Sequence, residues 1–452
     1  MKRQLLQQFR NLTSLALCGW LVMACSESQS PQAPTVPETT EVSSSAIKVE
    51  IVAKDGKFQL YRGGEPYEVK GAGLNFEDLT EFKAHGGNSI RTWSTSANGM
   101  TAQQLLDEAH ELGITVSLGL MVMPERWEFD YSDPIQVQEQ FQKIKADVLK
   151  YKDHPALLSW FLGNELNHHA TNWKVYDAVN ELAKMIHEID GNHPTTTTLA
   201  GLDKEAHRAV LERAPALDFI SYQVYGELHA IEDFIAEMNF KGPFMVTEWG
   251  AVGYWEMGQT EWGAPIEMHS TAKALNYLKG YEEKLLAVKD QLVGNYVFLW
   301  GQKQERTPTW FGLFTEKGEK TEAVDVMHYI WNGSWPENRT PKLISMFLDS
   351  KAADENVRLL KGQTVSATVD AKDSDGDELT YYWEIKPESD STNSGGDFEE
   401  DIASLDALIP DHYAQTISVR TPAKPGAYRL YVYVGDGKEH VAHANIPFLV
   451  ED

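Results

Sequence analysis

Two glutamates are the residues best placed to do chemistry. Glu165 closes the stretch Leu157-Leu158-Ser159-Trp160-Phe161-Leu162-Gly163-Asn164-Glu165, and Glu248 closes Pro243-Phe244-Met245-Val246-Thr247-Glu248. Each ends a short apolar run of the kind that forms a strand buried on both faces. Two carboxylates at matching strand ends suit the cleavage of a glycosidic bond. One protonates the leaving oxygen while the other attacks the sugar or activates water. Taken singly, a strand-end glutamate is an ordinary solvated residue; the matched pair is what points to chemistry. Thiol catalysis is excluded, because the only two cysteines, Cys18 and Cys25, precede the folding part of the chain.

The elements that would position this pair alternate between strand and helix patterns. A hairpin around Lys54-Asp55-Gly56-Lys57 comes first. Strands follow at 67–74, 88–93, 114–120, 157–162, 195–199, 219–225, 244–248 and 293–300. Helical segments at 77–85, 101–112, 133–151, 172–189, 203–212, 229–238, 274–289 and 323–331 separate and close them. Eight such units predict an α/β chain folded as a (β/α)8 barrel, whose active sites sit at the C-terminal strand ends. From 339 onward the pattern is all β, at 363–369, 379–385, 416–419, 427–434 and 442–450, which predicts a small C-terminal β-sandwich with Trp383 in its core. Within it, Asp373-Ser374-Asp375-Gly376-Asp377 offers oxygen ligands at alternating positions, as a plain turn or as a structural calcium loop. The domains expected are a leader at 1–24, a tether at 25–46, the barrel with its hairpin at 47–338 and the sandwich at 339–452.

Met1-Lys2-Arg3 and Arg10 precede an apolar segment, 15–24, too short to anchor stably across a bilayer. It ends Leu21-Val22-Met23-Ala24-Cys25, which resembles a bacterial lipoprotein signal. That resemblance implies lipidation of Cys25, and Ser26 after it resembles a sorting signal for the outer membrane of the cell envelope. The Ser, Pro, Thr, Glu and Gln of 26–46 cannot bury enough to fold and read as a flexible tether. The formal charge of −27 argues against nucleic acid and polyanionic glycans and favours a neutral substrate. A protein facing salty surroundings has the same composition.

The barrel, about 75 to 332, resembles the retaining glycoside hydrolases of clan A, which include families 2 and 5. Asn164-Glu165 matches the pair after the fourth strand, which implies Glu165 as general acid/base and Asn164 as a ligand of the sugar 2-hydroxyl. Glu248 in Val246-Thr247-Glu248-Trp249-Gly250 matches the nucleophile, and Arg91 in Ile90-Arg91-Thr92-Trp93 the arginine that keeps it ionised. Tyr225 is similar to the sixth-strand tyrosine that donates to the nucleophile, with Tyr222 as rival. Trp300 resembles the eighth-strand tryptophan under the −1 subsite, and Asn75 is placed to face the site. The third strand, Val116-Ser117-Leu118-Gly119-Leu120, lacks the histidine many family 5 members carry, so family 2 or another clan family stays open. The sandwich resembles the polycystic-kidney or cadherin-like Ig modules of secreted bacterial enzymes.

Thirteen tryptophans are a high load, and sugar faces stack on such rings. Trp127 and Trp249 are expected in the cleft beside Trp300, with the long loop 249–270 as its wall. His168-His169 lack a third metal ligand, so His168 is expected to line the cleft and the site to hold no metal or cofactor. The reading is a monomeric, surface-anchored retaining β-glycosidase acting on a neutral polysaccharide or oligosaccharide, a β-glucan first. A transglycosylase on the same scaffold and a non-catalytic glycan-binding lipoprotein are the alternatives.

Overall fold

The computed structural model describes residues 45–76, 79–393 and 395–452; the leader and Cys25 lie outside them. Eight parallel strands form the barrel: β1 (Gly71–Gly73), β2 (Ser89–Arg91), β3 (Thr115–Leu120), β4 (Leu157–Leu162), β5 (in two pieces, Thr195–Thr196 and Thr198–Ala200), β6 (Ile220–Gln223), β7 (Phe244–Glu248) and β8 (Leu292–Val297). They follow one another around the ring, with β8 beside β1. The first piece of β5 pairs with β4 and the second with β6. Thr197 stitches the gap by donating its hydroxyl to the Leu162 carbonyl at 2.7 Å.

The helices are α1 (Leu79–Ala84), α2 (Ala102–Glu111), α3 (Pro134–Tyr151), α4 (Lys174–Ile189), α5 (Lys204–Arg213), α6 (Ile231–Glu237), α7 (Ser270–Lys279) and α8 (Glu322–Asn332). Local chemistry starts several of them. Thr101 and Gln104 form a capping box on α2, and Asp133 and Asp203 cap α3 and α5. Boundaries shift from expectation, most at β1, which starts at Gly71 instead of 67, at α7, which starts at Ser270 and runs into a π turn, Gly280–Leu285, and at β8, which stops at Val297 instead of 300.

The hairpin, Val49–Lys54 with Lys57–Arg62, turns at Asp55 and Gly56, whose φ of 54° and 79° suit a two-residue turn. Its Val49 and Leu60 pack with Leu158, Phe161, Met245 and Tyr296 of the barrel, closing the end opposite the glutamates.

Beyond the barrel lie two sheets consistent with a β-sandwich. The strands are β9 (Lys342–Leu348), β10 (Val357–Leu360), β11 (Thr364–Lys372), β12 (Thr380–Pro387), β13 (Thr416–Arg420), β14 (Gly426–Gly435) and β15 (Val441–Glu451), ordered 9-11-13 and 10-15-14-12. Trp383 is fully buried between them and donates to the Ala414 carbonyl at 2.9 Å. β9 and β10 were not expected; β10, at four residues, is too short for its alternation to stand out. Asp373 Oδ1 accepts the amides of Asp375, Gly376 and Asp377, so that stretch closes on itself as a turn. Its three carboxylates lie within 4.8 Å of one another, and Asp377 pairs with Lys438.

A buried polar joint ties sandwich to barrel. Glu267 pairs with Lys273 and accepts Asn445 Nδ2 at 2.6 Å. Arg429, wholly buried, makes two bonds to Glu388 (2.6 and 3.1 Å) and donates to the Pro265 carbonyl at 2.8 Å. Charges this deep are tolerable only because each is paired.

Candidate active site

At the open end the strands deliver their last residues into one cleft of about 690 Å³. Glu248, the final residue of β7, is 5% exposed. Its Oε1 accepts Arg91 Nη1 (2.6 Å), Trp93 Nε1 (2.8 Å) and Gln223 Nε2 (2.9 Å), while among the described residues Oε2 accepts only the Tyr225 hydroxyl, at 2.7 Å. Four donors fix the carboxylate, and the asymmetry leaves Oε2 the oxygen with a lone pair to spare.

The donors are themselves held. Arg91 is buried with its guanidinium between the rings of Trp93 (4.9 Å) and Phe161 (5.5 Å). Arg91 Nη2 and Gln223 Nε2 both donate to Asn164 Oδ1, at 2.5 and 2.6 Å. With its oxygen so engaged, Asn164 keeps its amide nitrogen as a donor for the cleft it lines.

Glu165 follows Asn164 in the left-handed region, φ 49°, a conformation that costs a glutamate on the order of 1 kcal/mol. Its amide donates to Thr198 Oγ1 at 3.2 Å, and its side chain lines the same cleft as Glu248. Burial in the cleft wall, and after it the charge of Glu248, push the Glu165 carboxyl up to about 8, against the opposing pull of Arg91. The same two causes raise the Tyr225 hydroxyl well above its usual range, so it remains a donor.

Asn75, Trp127 and His168 also line the cleft, as do Trp93 and Trp255. Burial, reinforced by His169, lowers His168 to about 4, which keeps its ring neutral at pH 7. Tyr222, the rival of Tyr225, is wholly buried and shares a hydrogen bond with His207 of α5 at 2.6 Å, since strand alternation turns it away from the cleft where Gln223 points in.

Two expected cleft residues lie elsewhere. Trp249, next to Glu248, is turned outward by the same alternation; it donates to Asn295 Oδ1 at 3.1 Å and packs on Tyr277 of α7. Trp300 lies beyond the end of β8 and packs among Phe82, Trp331 and Phe314, with ring centres 5.2 to 5.4 Å away. Phe298 lines the cleft instead, edge-on to Trp93. The loop 249–270 divides its duties: Tyr254, Trp255 and Glu256 reach the cleft, while Glu261 and Trp262 meet Arg358 of the sandwich.

Gln223, Trp93 as a donor to Glu248, Phe298 and Glu305 are site residues that the sequence does not single out. Gln223 carries a usable signal, since it is the last residue of β6 and alternates with Tyr222. Glu305 had none: it sits on the loop after β8, 5% exposed, paired with Lys303 at 2.8 Å and raised chiefly by burial.

Residues 76–333 match the family model of the glycosyl hydrolases family 2 TIM barrel domain. No curated protein matches the chain in sequence. Among solved structures the chain is similar to β-glucuronidase 2 of Bacteroides uniformis, at 14% identity over 89% of this chain and 48% of that one, with a TM-score of 0.48. It is similar to a putative β-galactosidase from Bacteroides fragilis, at 15% identity over 90% and 58%, TM-score 0.47. A family 5 mannosidase from Rhizomucor miehei matches at 14% identity over 64% and 97%, TM-score 0.45. The chain thus spans about half the length of the β-glucuronidase.

Proposed function

The chain belongs to glycosyl hydrolase family 2 through its TIM barrel domain, and from that premise we propose that it is a retaining β-glycosidase working by double displacement. The observation that carries this is a carboxylate held by four donors beside a second carboxyl that stays protonated at neutral pH. In the first step Glu248 Oε2 attacks the anomeric carbon, and Glu165 gives its proton to the departing glycosidic oxygen. In the second, Glu165 takes a proton from water, the resulting oxygen attacks the anomeric carbon, and Glu248 leaves as carboxylate. Asn164 donates to the sugar 2-hydroxyl, and Trp127 and Trp255 offer faces for neighbouring sugars.

We propose a neutral glycan, a β-glucan first, as substrate. Each cation lining the cleft is already engaged: Arg126 by Asp397, Lys303 by Glu305, and Arg306 by the carbonyls of Ser391 and Asn393. The test is product release from laminarin, mixed-linkage glucan, cellulose, mannan, xylan and galactan, run beside Glu248→Gln. Activity on one glycan that vanishes in the variant supports the reading. Turnover retained by the variant, or binding to a glycan with no product from the unaltered protein, overturns it.

A further inference from the structure

We propose that the C-terminal sandwich completes the substrate site, walling the cleft so that it receives the end of a glycan chain and not its middle. This rests on the glycosidase reading above. Thr392, Asn393 and residues 395–397 line the same cleft as Glu165 and Glu248, although they belong to the connection between β12 and β13.

That connection is pinned on both sides of the barrel mouth. Asp397 pairs with Arg126, on the loop after β3, at 2.7 Å. The Gly396 carbonyl accepts Lys303 Nζ, on the loop after β8, at 3.0 Å. Glu399 accepts the Arg306 amide at 3.0 Å, and the Arg306 side chain donates to the Ser391 and Asn393 carbonyls. In the ring, β1 and β2 separate β8 from β3, so the connection bridges loops that the barrel holds apart. The fit is close: a Cβ on Gly395 would lie 2.9 Å from the His168 ring, and Gly395 has a φ of +63°.

The root of the connection is equally fixed. Glu388, at its start, is held by buried Arg429, which also reaches the Pro265 carbonyl on the loop that supplies Tyr254 and Trp255. The sandwich therefore presents these residues from a rigid base. A chain laid across the barrel mouth would meet this bridge, whereas a chain end enters the pocket beneath it.

The experiment compares the unaltered protein with two variants, excision of 395–398 and Asp397→Ala, on the glycan it degrades best. Viscosity loss per reducing end formed reads internal cutting against end release. A variant that merely folds poorly lowers both together and leaves the ratio unmoved. The unaltered protein is expected to release short products with little loss of viscosity, and excision to raise the ratio severalfold, with a smaller rise for Asp397→Ala. Internal cutting by the unaltered protein, or an unchanged ratio in both variants, overturns the wall. Failure of the unaltered protein to turn over any glycan or aryl glycoside instead removes the catalytic reading, and the wall with it.

Discussion

Glu165 is the residue whose protonation the mechanism depends on, and neutralising Glu248 perturbs it most directly. Held at about 8, the Glu165 carboxyl is protonated in roughly nine molecules out of ten at pH 7. An ordinary glutamate at 4.5 would be protonated in about one in three hundred. The site thus gains on the order of 300-fold in the acid form, equivalent to about 3 kcal/mol. The sign follows: on the alkaline side kcat/KM falls as Glu165 ionises through about pH 8. Burial is the larger cause and the Glu248 charge the next. Trapping Glu248 as a neutral ester with a 2-fluoro glycoside removes the second cause and should move the Glu165 titration to lower pH. Carbon NMR of the labelled glutamate carboxyls, in the free and the trapped protein, reads both values. A Glu165 that titrates near 4.5 when free would show that burial does not raise it, and one that does not move on trapping would show that the Glu248 charge does not act on it.

The same displacement bears on stability. Folding raises this carboxyl, so its protonated form is favoured; stability is fully present below 4.5 and is lost as pH rises toward about 8. Glu165→Gln should therefore raise the thermal midpoint at pH 7, by up to about 3 kcal/mol in stability, as measured by calorimetry; an unchanged or lower midpoint counts against it. Tyr225→Phe removes a charge-assisted bond to Glu248 and should cost about 1.5–3 kcal/mol in kcat/KM, read with an aryl glycoside, while the fold stays intact. Lys273→Ala leaves Glu267 buried without its cation and should destabilise the barrel–sandwich joint by about 3–5 kcal/mol in denaturant titration. We also propose that Cys25 carries a lipid: Cys25→Ser should abolish incorporation of radiolabelled palmitate and release the protein from the membrane fraction, and retained label would exclude it.

Much of the barrel was legible because its strands are short apolar runs, set apart by helices with visible caps such as Thr101 and Asp133. Glu165, Asn164, Arg91, Glu248 and Tyr225 occupy the strand ends or following turns where their motifs put them, because strand alternation and local turns determine those positions. Trp249 and Trp300 were misplaced for a related reason: a motif names the residue, but only the backbone decides which way its ring points. Gln223 was hidden by its neighbour Tyr222, a more familiar hydrogen-bond donor. The wall formed by Thr392, Asn393 and 395–397 was not legible at all. It depends on ion pairs such as Arg126–Asp397 across hundreds of residues, and nothing in either local sequence announces its partner.

The most direct test of the double-displacement reading is to find where the sugar becomes attached. The protein would be inactivated with a 2-deoxy-2-fluoro glycoside of the sugar it releases, digested with protease, and the modified peptide sequenced by mass spectrometry. One sugar on Glu248 is the expected result. A label on any other residue would contradict the assignment of Glu248, and inversion at the anomeric carbon with no trapped intermediate would contradict double displacement itself.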